Sequence, residues 1–531
     1  MEEVKNFESL ENQHDVDRCS FYRKISKKSQ TANIPGGVLM ENGVRITEKR
    51  EVLDIWRKHY HELYTPQVCT HFDNEFKSYV EGKVKEYSVN SLGIKDDPLE
   101  KPFEYDEVVT VLTTLPNGKV SGTDNITYEH LKFGGQILLN FLLKLFNIIR
   151  IYECVAESWT VGRVVSILKS GKKNRMERGS YRGITLLNVM GKIFERLFLN
   201  RWLPRFEEHG IPNQFQYAYQ NNKSCVLSSF CLQESVMYNV ERGSKVYCCF
   251  LDSTKAFDTV WLDGLFYKLF NLGIRGKSWR ILTGWYNRMK CSVSLGGLSS
   301  SLFSVKQGAR QGGVLSPWLF LCYNNDLPVI LMSTGYGLSI HDIPCSTILI
   351  ADDITLLSVR VKGLQCLLDS VEKYSNKWRF QFNPSKSRIV TFGESTQQFN
   401  IKSKTRDWYL NGVAVEQTPA WEHVGILLSG NFSSSDRSKS AVRKGRGVVG
   451  ALMAAGARAG GLNPICAANL WRVFGLTAML YGCELWSNLC ASERDFLNGA
   501  TNFAAKRSQG LPLPFRRRPW LLGIMDNHGI H

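Results

Sequence analysis

The chain has 531 residues, a formal net charge of +17 and a pI near 9.2. That length exceeds one ordinary core, so two to four units are expected, and 43% hydrophobic residues suffice to fill them. Fourteen cysteines without a C-x-x-C pair argue against a disulfide framework or a zinc knuckle, so reduced thiols and an intracellular site are expected, and the basic balance favours a polyanionic partner such as nucleic acid.

In chain order, residues 1–104 read as a lead-in module. Val38–Met40 and Val44–Ile46 flank Asn42-Gly43, a hairpin signal. A helix is predicted from about Thr47 to Tyr64, with Val52, Ile55, Trp56, Tyr60 and Leu63 on one side and Pro66 just past its end. Residues 67–104 read as a helix plus linker. A long mixed α/β region follows over 105–430. Its longest apolar stretch, Ile137–Tyr152, is interrupted by Asn140, Lys144, Asn147 and Arg150 at helical spacing. That spacing predicts an amphipathic helix on a core rather than a membrane span, and the charged N-terminus has no signal-peptide pattern. Leu262–Leu272 reads as a helix capped by Gly273, with Ile274 supplying the apolar contact.

The Ser- and Gly-rich segment Ser429–Ser440 marks a boundary. Beyond it, 431–520 reads as a small helical unit and 521–531 as a tail. Between Arg437 and Arg518 stand 13 Lys or Arg against 3 Asp or Glu. Trp471, Trp486, Phe496, Phe503 and Trp520 are interleaved, which suits a nucleic-acid backbone and stacked bases; a solvated basic face has the same composition.

Three carboxylates stand at the ends of strand-like runs. Lys245–Leu251, with Cys248 and Cys249 as small buried hydrophobes, ends at Asp252. Ser346–Ile350 and Ile354–Leu357 flank Ala351-Asp352-Asp353. An Asp-Asp pair alone is most often a polar turn. Two such strands lying side by side about 4.8 Å apart would instead bring carboxylates together. Like charges that close raise each other's pKa unless hard cations such as Mg²⁺ neutralise them. Two ions about 3.5–4 Å apart would suit in-line phosphoryl displacement.

Other blocks accompany these. Gly308–Pro317, with Arg310, Gln311 and Gly312, is a flexible loop opening a helical run at Trp318–Asp326, able to approach a base pair or phosphate. Tyr181–Leu187 follows the basic stretch Lys169–Arg178. Asn383-Pro384-Ser385-Lys386 leads into the strand Arg388–Phe392. Each has a bland alternative: a structural turn, a solvated loop, a surface lysine.

Taken in order, the blocks resemble the reverse transcriptase family, in the branch of non-LTR (LINE-like) retrotransposons. The resemblance rests on Leu115–Asp124, Tyr181–Leu187, Phe250–Asp258, Gly308–Pro317, Ala351–Asp353, Asn383–Lys386, Trp421–Gly425 and Leu480–Trp486, and spans residues 35–520. It implies an α+β right-hand polymerase: fingers from about 105–240, an antiparallel-sheet palm with helices on one face, and a helical thumb from about 430. It also implies an RNA-directed DNA polymerase using two Mg²⁺ (or Mn²⁺) ions, an RNA template, a DNA primer or target, and dNTPs. Asp252 and Asp352 would ligate both ions, with Asp353 in support. Lys386 would protonate pyrophosphate, and Lys169 and Arg182 would contact the triphosphate. Phe257 would exclude a ribose 2′-OH, with a core aromatic as the rival role. Gln311 and Gly312 would shape the nucleotide pocket, Arg310 would meet template or primer, and Val424 and Gly425 would lie at the primer grip.

The chain departs from the pattern in places. Ile350 replaces a usual aromatic and Ser166 a usual Pro. Gln214–Ala218 lacks an Arg whose template contact Lys223 or Lys173 would have to supply. Nothing resembles the endonuclease that usually precedes this polymerase, so the expectation is the polymerase portion of a larger or truncated element protein. A non-catalytic RNA-binding scaffold and an inert fragment remain the alternatives. Salt-sensitive RNA binding without metal-dependent incorporation would mark the first, and failure to fold the second.

Overall fold

The computed structural model describes residue 17 and residues 39–41, 43–90, 97–169, 174–486 and 489–512. Val38, Asn42, Lys173, Arg518, Trp520 and the 521–531 tail, named above, lie outside the described residues.

The central sheet has the strand order Thr347–Ile350, Asp353–Ser358, Val246–Leu251, Arg388–Phe392, Glu416–Gln417. Neighbours are antiparallel except the last pair. All six residues of Val246–Leu251 are buried. Val246, Cys248 and Phe250 join a core with Leu232 and Val236 of helix Cys225–Glu241. Tyr247, Cys249 and Leu251 join the main core with Leu364, Leu367 and Val371 of helix Val361–Trp378. The expectation of helices on one face is therefore corrected: a strand of six consecutive apolar residues leaves no wet face, so both faces are covered. Each large apolar side chain so buried contributes about 1.5–3 kcal/mol.

A second sheet sets Tyr181–Leu186 antiparallel to Val161–Leu168, which runs parallel to Lys290–Leu295. Helix Lys49–Leu63 packs against it, burying Val52, Leu53, Trp56 and Tyr60. Tyr60 Oη and Ser166 Oγ hydrogen bond at 2.9 Å. The serine that departs from the family pattern thus ties the N-terminal helix to this sheet. Opposite Ser166 lies Gly183, where an added Cβ would sit 2.5 Å from the Tyr60 ring.

Helix Leu262–Asn271 ends as expected, with Gly273 at φ 82° and Ile274 fully buried. The helix Gly135–Tyr152 forms but is turned from its expected orientation. Asn147 faces inward, accepting from Phe103 N at 2.7 Å and donating to Phe103 O at 3.0 Å. Arg150 is buried and donates to the carbonyls of Glu100 and Lys101. Ile137, Phe141, Ile148 and Ile151 are exposed instead. The irregular 100–103 segment needs donors and acceptors, and that need outweighs the hydropathy pattern. By length and composition, this one helix among the described residues is long and apolar enough to cross a membrane.

Helices Ser434–Ala454 and Ala491–Ser508 pack on each other around Val442, Val449, Leu470, Trp471 and Leu497. Trp471 is therefore core and not a stacking platform, and Trp486 and Phe503 pack against the same core. Phe496 is exposed, as are Lys439, Arg443 and Arg446, which stand at i, i+4 and i+7 on one helix face.

Candidate active site

The sheet register brings the carboxylates together. Leu251 pairs with Ile354, and one step further the same ladder sets Asp252 opposite Asp353. Ile350 pairs with Asp353, so the chain reverses through Ala351 and Asp352 alone. Ala351 has φ 56°, a region that a residue with a Cβ enters at a cost. Gln216 holds it there. Ala351 N donates to Gln216 Oε1 at 2.8 Å, and Gln216 Nε2 donates back to Ala351 O at 3.4 Å. Leu349 N bonds Phe215 O at 2.9 Å and Tyr217 N bonds Leu349 O at 2.8 Å. Gln214–Ala218, the block read above as departing from the pattern, is thus the clamp of this turn. Lys223 donates to the carbonyls of Gln214 and Gln216 at 2.8 and 3.0 Å, so it organises this clamp.

Asp252 is fixed through its backbone. Its N–H donates to Ser387 Oγ at 3.2 Å and its carbonyl accepts from Asn383 N at 2.8 Å. This turn delivers Lys386, whose Nζ lies 3.9 Å from Asp252 Oδ2 with both side chains substantially exposed. A cavity of about 150 Å³ is lined by Asp252, Asp353, Lys386, Trp421 and Val424. Asp352 feels the charge of Arg182, and burial, then Asp352, raise the Tyr219 phenol.

The electrostatics fit hard cations. Burial, then Asp352 and Asp252, push the Asp353 carboxyl up to about 6. Burial and Asp252 raise Asp352 against the pull of Arg182. Lys386 at the edge and exposed Arg182 leave the cluster short of positive charge, the deficit that oxygen-preferring divalent ions make up. Among the described residues no three His, Cys, Asp or Glu side chains converge into a ready-made cage. The set is open, with room for ligands from outside the chain.

Beside it stand the residues expected to shape a nucleotide pocket, together with one that the sequence reading missed. Asp258 is buried, and burial pushes its carboxyl up to about 7. Gln311 Nε2 donates to both its oxygens at 3.1 Å. The expected pocket residue Gln311 is therefore held by a carboxylate four positions past the conspicuous Phe250–Thr254 stretch. The Gln311 backbone carbonyl also accepts from Thr185 N at 2.7 Å, tying this loop to the second sheet. Gly312, at φ 129°, has no room for a Cβ, which would stand 2.3 Å from Thr185 O. Half-buried Phe257 stacks on Phe320 at 4.2 Å and meets Tyr219 edge-on at 6.4 Å. Arg182 is exposed above this pocket, whereas Lys169 Nζ donates to Gly179 O at 2.9 Å and closes its own loop.

Arg310 stands elsewhere. It is 4% exposed, donates to Glu195 Oε1 at 2.9 Å and packs on the Trp285 and Tyr286 rings at 5.0 and 5.1 Å. The expectation that it meets template or primer is corrected: its guanidinium is a core strut. Glu195 also accepts from Val314 N at 2.6 Å, so the pair fixes the start of helix Ser316–Asn324.

Val424 and Gly425 form the turn between Ala420–His423 and Ile426–Ser429. Val424 has φ 43°, unusual for a β-branched residue. Tyr481 Oη donates to Val424 O at 3.3 Å and Lys444 donates to Gly425 O. The turn beside the carboxylates is thus fastened from the C-terminal helical unit.

A family profile described as "Reverse transcriptase (RNA-dependent DNA polymerase)" matches residues 167–423. The RNA-directed DNA polymerase from mobile element jockey of Drosophila melanogaster is 25% identical over 452 residues, covering 80% of this chain and 46% of that protein. The probable RNA-directed DNA polymerases from transposon X-element and transposon BS of the same organism are each 26% identical, covering 77% and 71% of this chain and 44% and 42% of theirs. The chain thus spans less than half the length of each of these relatives. An apo telomerase from Candida tropicalis aligns at a TM-score of 0.36 and 12% identity, over 66% of this chain and 85% of that one. Over residues 167–423 the chain carries a reverse transcriptase domain, homologous to those of non-LTR retrotransposon polymerases.

Proposed function

We propose that the chain is an RNA-directed DNA polymerase that joins dNTPs to a primer 3′-OH at the Asp252, Asp352 and Asp353 cluster. The observation that carries this is the register that faces Asp252 with Asp353 while a clamped two-residue turn presents Asp352. Two Mg²⁺ or Mn²⁺ ions held by these carboxylates would activate the primer oxygen and neutralise the leaving pyrophosphate. Asp252 and Asp353 face the cavity beside Val424, where a primer end would be gripped. Asp352 faces Arg182 and Tyr219, where a triphosphate would enter. Gln311, braced by Asp258, and Gly312 shape the nucleotide pocket. Phe257, stacked on Phe320, forms its rigid wall under the incoming sugar. Lys386, beside Asp252, is the proton donor to the leaving group. The exposed Lys439, Arg443 and Arg446 face offers contacts to the nucleic-acid backbone.

Primer extension on poly(A)/oligo(dT) with Mg²⁺ or Mn²⁺ tests this reading. Incorporation of dTTP is expected from the wild-type chain and not from the Asp352→Ala, Asp353→Ala double variant. Equal rates from both would refute it. Phe257→Val is expected to raise use of rNTPs relative to dNTPs, and an unchanged ratio in a folded variant makes Phe257 core only.

A further inference from the structure

A second cavity, of about 350 Å³, lies behind the catalytic loop and has no part in the scheme above. Thr254, Lys255 and Trp261, from the stretch following Asp252, form one wall. His59 and Phe72 of the N-terminal segment form another, and Arg379, just past helix Val361–Trp378, lines it as well. The walls are tied together. Thr254 N donates to Gln381 O at 2.8 Å, and Gln307 Nε2 donates to Leu63 O at 2.8 Å.

Its charge is unbalanced. Lys255 and Arg379 line it against Glu62 alone, with the imidazole of His59 beside them. The Lys255 carbonyl accepts from Asp258 N and Thr259 N, while its Nζ makes no hydrogen bond or ion pair among the described residues. Burial lowers its ammonium pKa, and Lys386 and Arg178 lower it further while Asp258 and Glu62 oppose. Burial pushes His59 down to about 4, helped by Lys255, Arg178 and Lys169. Arg379 lies over the Phe72 ring at 4.8 Å and donates to Asn74 Oδ1 at 3.2 Å. A guanidinium has five N–H donors, so others are left for a ligand. Two cations facing an open space with one carboxylate leave a positive excess that an anion relieves.

We propose that this cavity binds a diphosphate group, and that its ligand in turnover is the pyrophosphate released by nucleotidyl transfer. This rests on the polymerase reading of the carboxylate site. In that reaction the primer 3′-oxygen bonds the α-phosphorus. The bond from that phosphorus to its bridging oxygen breaks, and pyrophosphate departs with the electron pair. Lys255 is three residues past Asp252 in the chain and lines the cavity, so the stretch that carries Asp252 leads directly into the cavity wall. Trp261 and Phe72 leave an apolar half that would hold a base if the diphosphate belonged to a nucleotide instead.

The test is calorimetric titration of the full chain with pyrophosphate, ADP and AMP in EDTA, which removes metal-dependent binding at the carboxylates. Pyrophosphate is expected to bind and AMP not to. Arg379→Gln and Lys255→Gln are each expected to weaken pyrophosphate roughly tenfold, with unchanged melting temperatures. Asp352→Ala with Asp353→Ala is expected to leave the binding intact. ADP tighter than pyrophosphate assigns the diphosphate to a nucleotide; equal or weaker ADP assigns it to the leaving group. No pyrophosphate binding, or binding indifferent to both cavity variants, overturns the proposal. A chain that binds pyrophosphate through Arg379 but extends no primer keeps the site and loses the polymerase reading. A chain that extends primers without such binding does the reverse.

Discussion

The sheet edge at Asp252 and the core beneath the Gly308–Pro317 loop treat charge in opposite ways. In the core, Arg310 is matched by Glu195. Nearby, Lys268 donates to Asp326 Oδ1 at 2.6 Å, Tyr374 Oη at 2.8 Å and Tyr323 O at 2.5 Å, although burial pushes its ammonium down to about 8. At the sheet edge, Asp252 has Lys386 at 3.9 Å, and Asp352 and Asp353 feel the pull of Arg182 alone against burial and the charge of neighbouring carboxylates. Where buried Arg310 and Lys268 each have a carboxylate partner, the carboxylates at the strand ends are short of cations. The contrast supports the site proposed above without appeal to motif.

Four measurements break or sharpen this contrast. Removing a charge at the edge should cost catalysis and not stability. Asp252→Asn is expected to lower dTTP incorporation by about 10³-fold or more, on the order of 4 kcal/mol of barrier, with melting unchanged. A large drop in melting temperature would make Asp252 structural. In the core the pattern should reverse. Glu195→Ala leaves Arg310 buried without its partner and is expected to cost roughly 3–5 kcal/mol in urea unfolding. A loss under about 1 kcal/mol would show that the pair is dispensable.

Asp258 sits between the two regimes, buried yet held by a neutral amide. Burial raises its folded carboxyl to about 7 from the ordinary 3.8. The folded state therefore holds the proton more tightly than the unfolded chain does. Its contribution to stability falls as pH rises from near 4 through about 7. Asp258→Asn should match wild type at pH 4 and exceed it by on the order of 2 kcal/mol at pH 8. A constant difference across that range would contradict the burial argument. The smallest effect is cation binding at the edge. With Asp353 raised to about 6, protons compete with metal at pH 6. Millimolar Mg²⁺ is expected to raise melting more at pH 8 than at pH 6, by about 1 kcal/mol, and an equal shift at both would place the metal elsewhere.

Much of the fold was legible because local pattern and tertiary role agree. The apolar run Val246–Leu251, its terminal Asp252, and the Leu262–Asn271 helix with its Gly273 cap follow from period and turn chemistry alone. What escaped depends on partners far along the chain. Gln216 reads as one polar residue among several until Ala351, 135 positions away, is seen to need a donor and an acceptor. Arg310 in a glycine-rich loop reads as a ligand contact because nothing local reveals Glu195, 115 positions earlier. Asp258 ends the same block as Asp252 and was passed over because its burial is tertiary. Asn147 and Arg150 face inward for the sake of carbonyls near residue 100, which no helical wheel contains.

The Val424–Gly425 turn carries a mechanical consequence. One wall of the carboxylate cavity is suspended by Tyr481 and Lys444, and both belong to the helical unit beyond residue 430. On the polymerase reading proposed above, a duplex that tugged on the Ser434–Ala454 helix would pull on that wall through the same two bonds. The C-terminal unit would then work as a lever whose short arm ends at the carboxylates, with the positive-φ backbone of Val424 as its pivot.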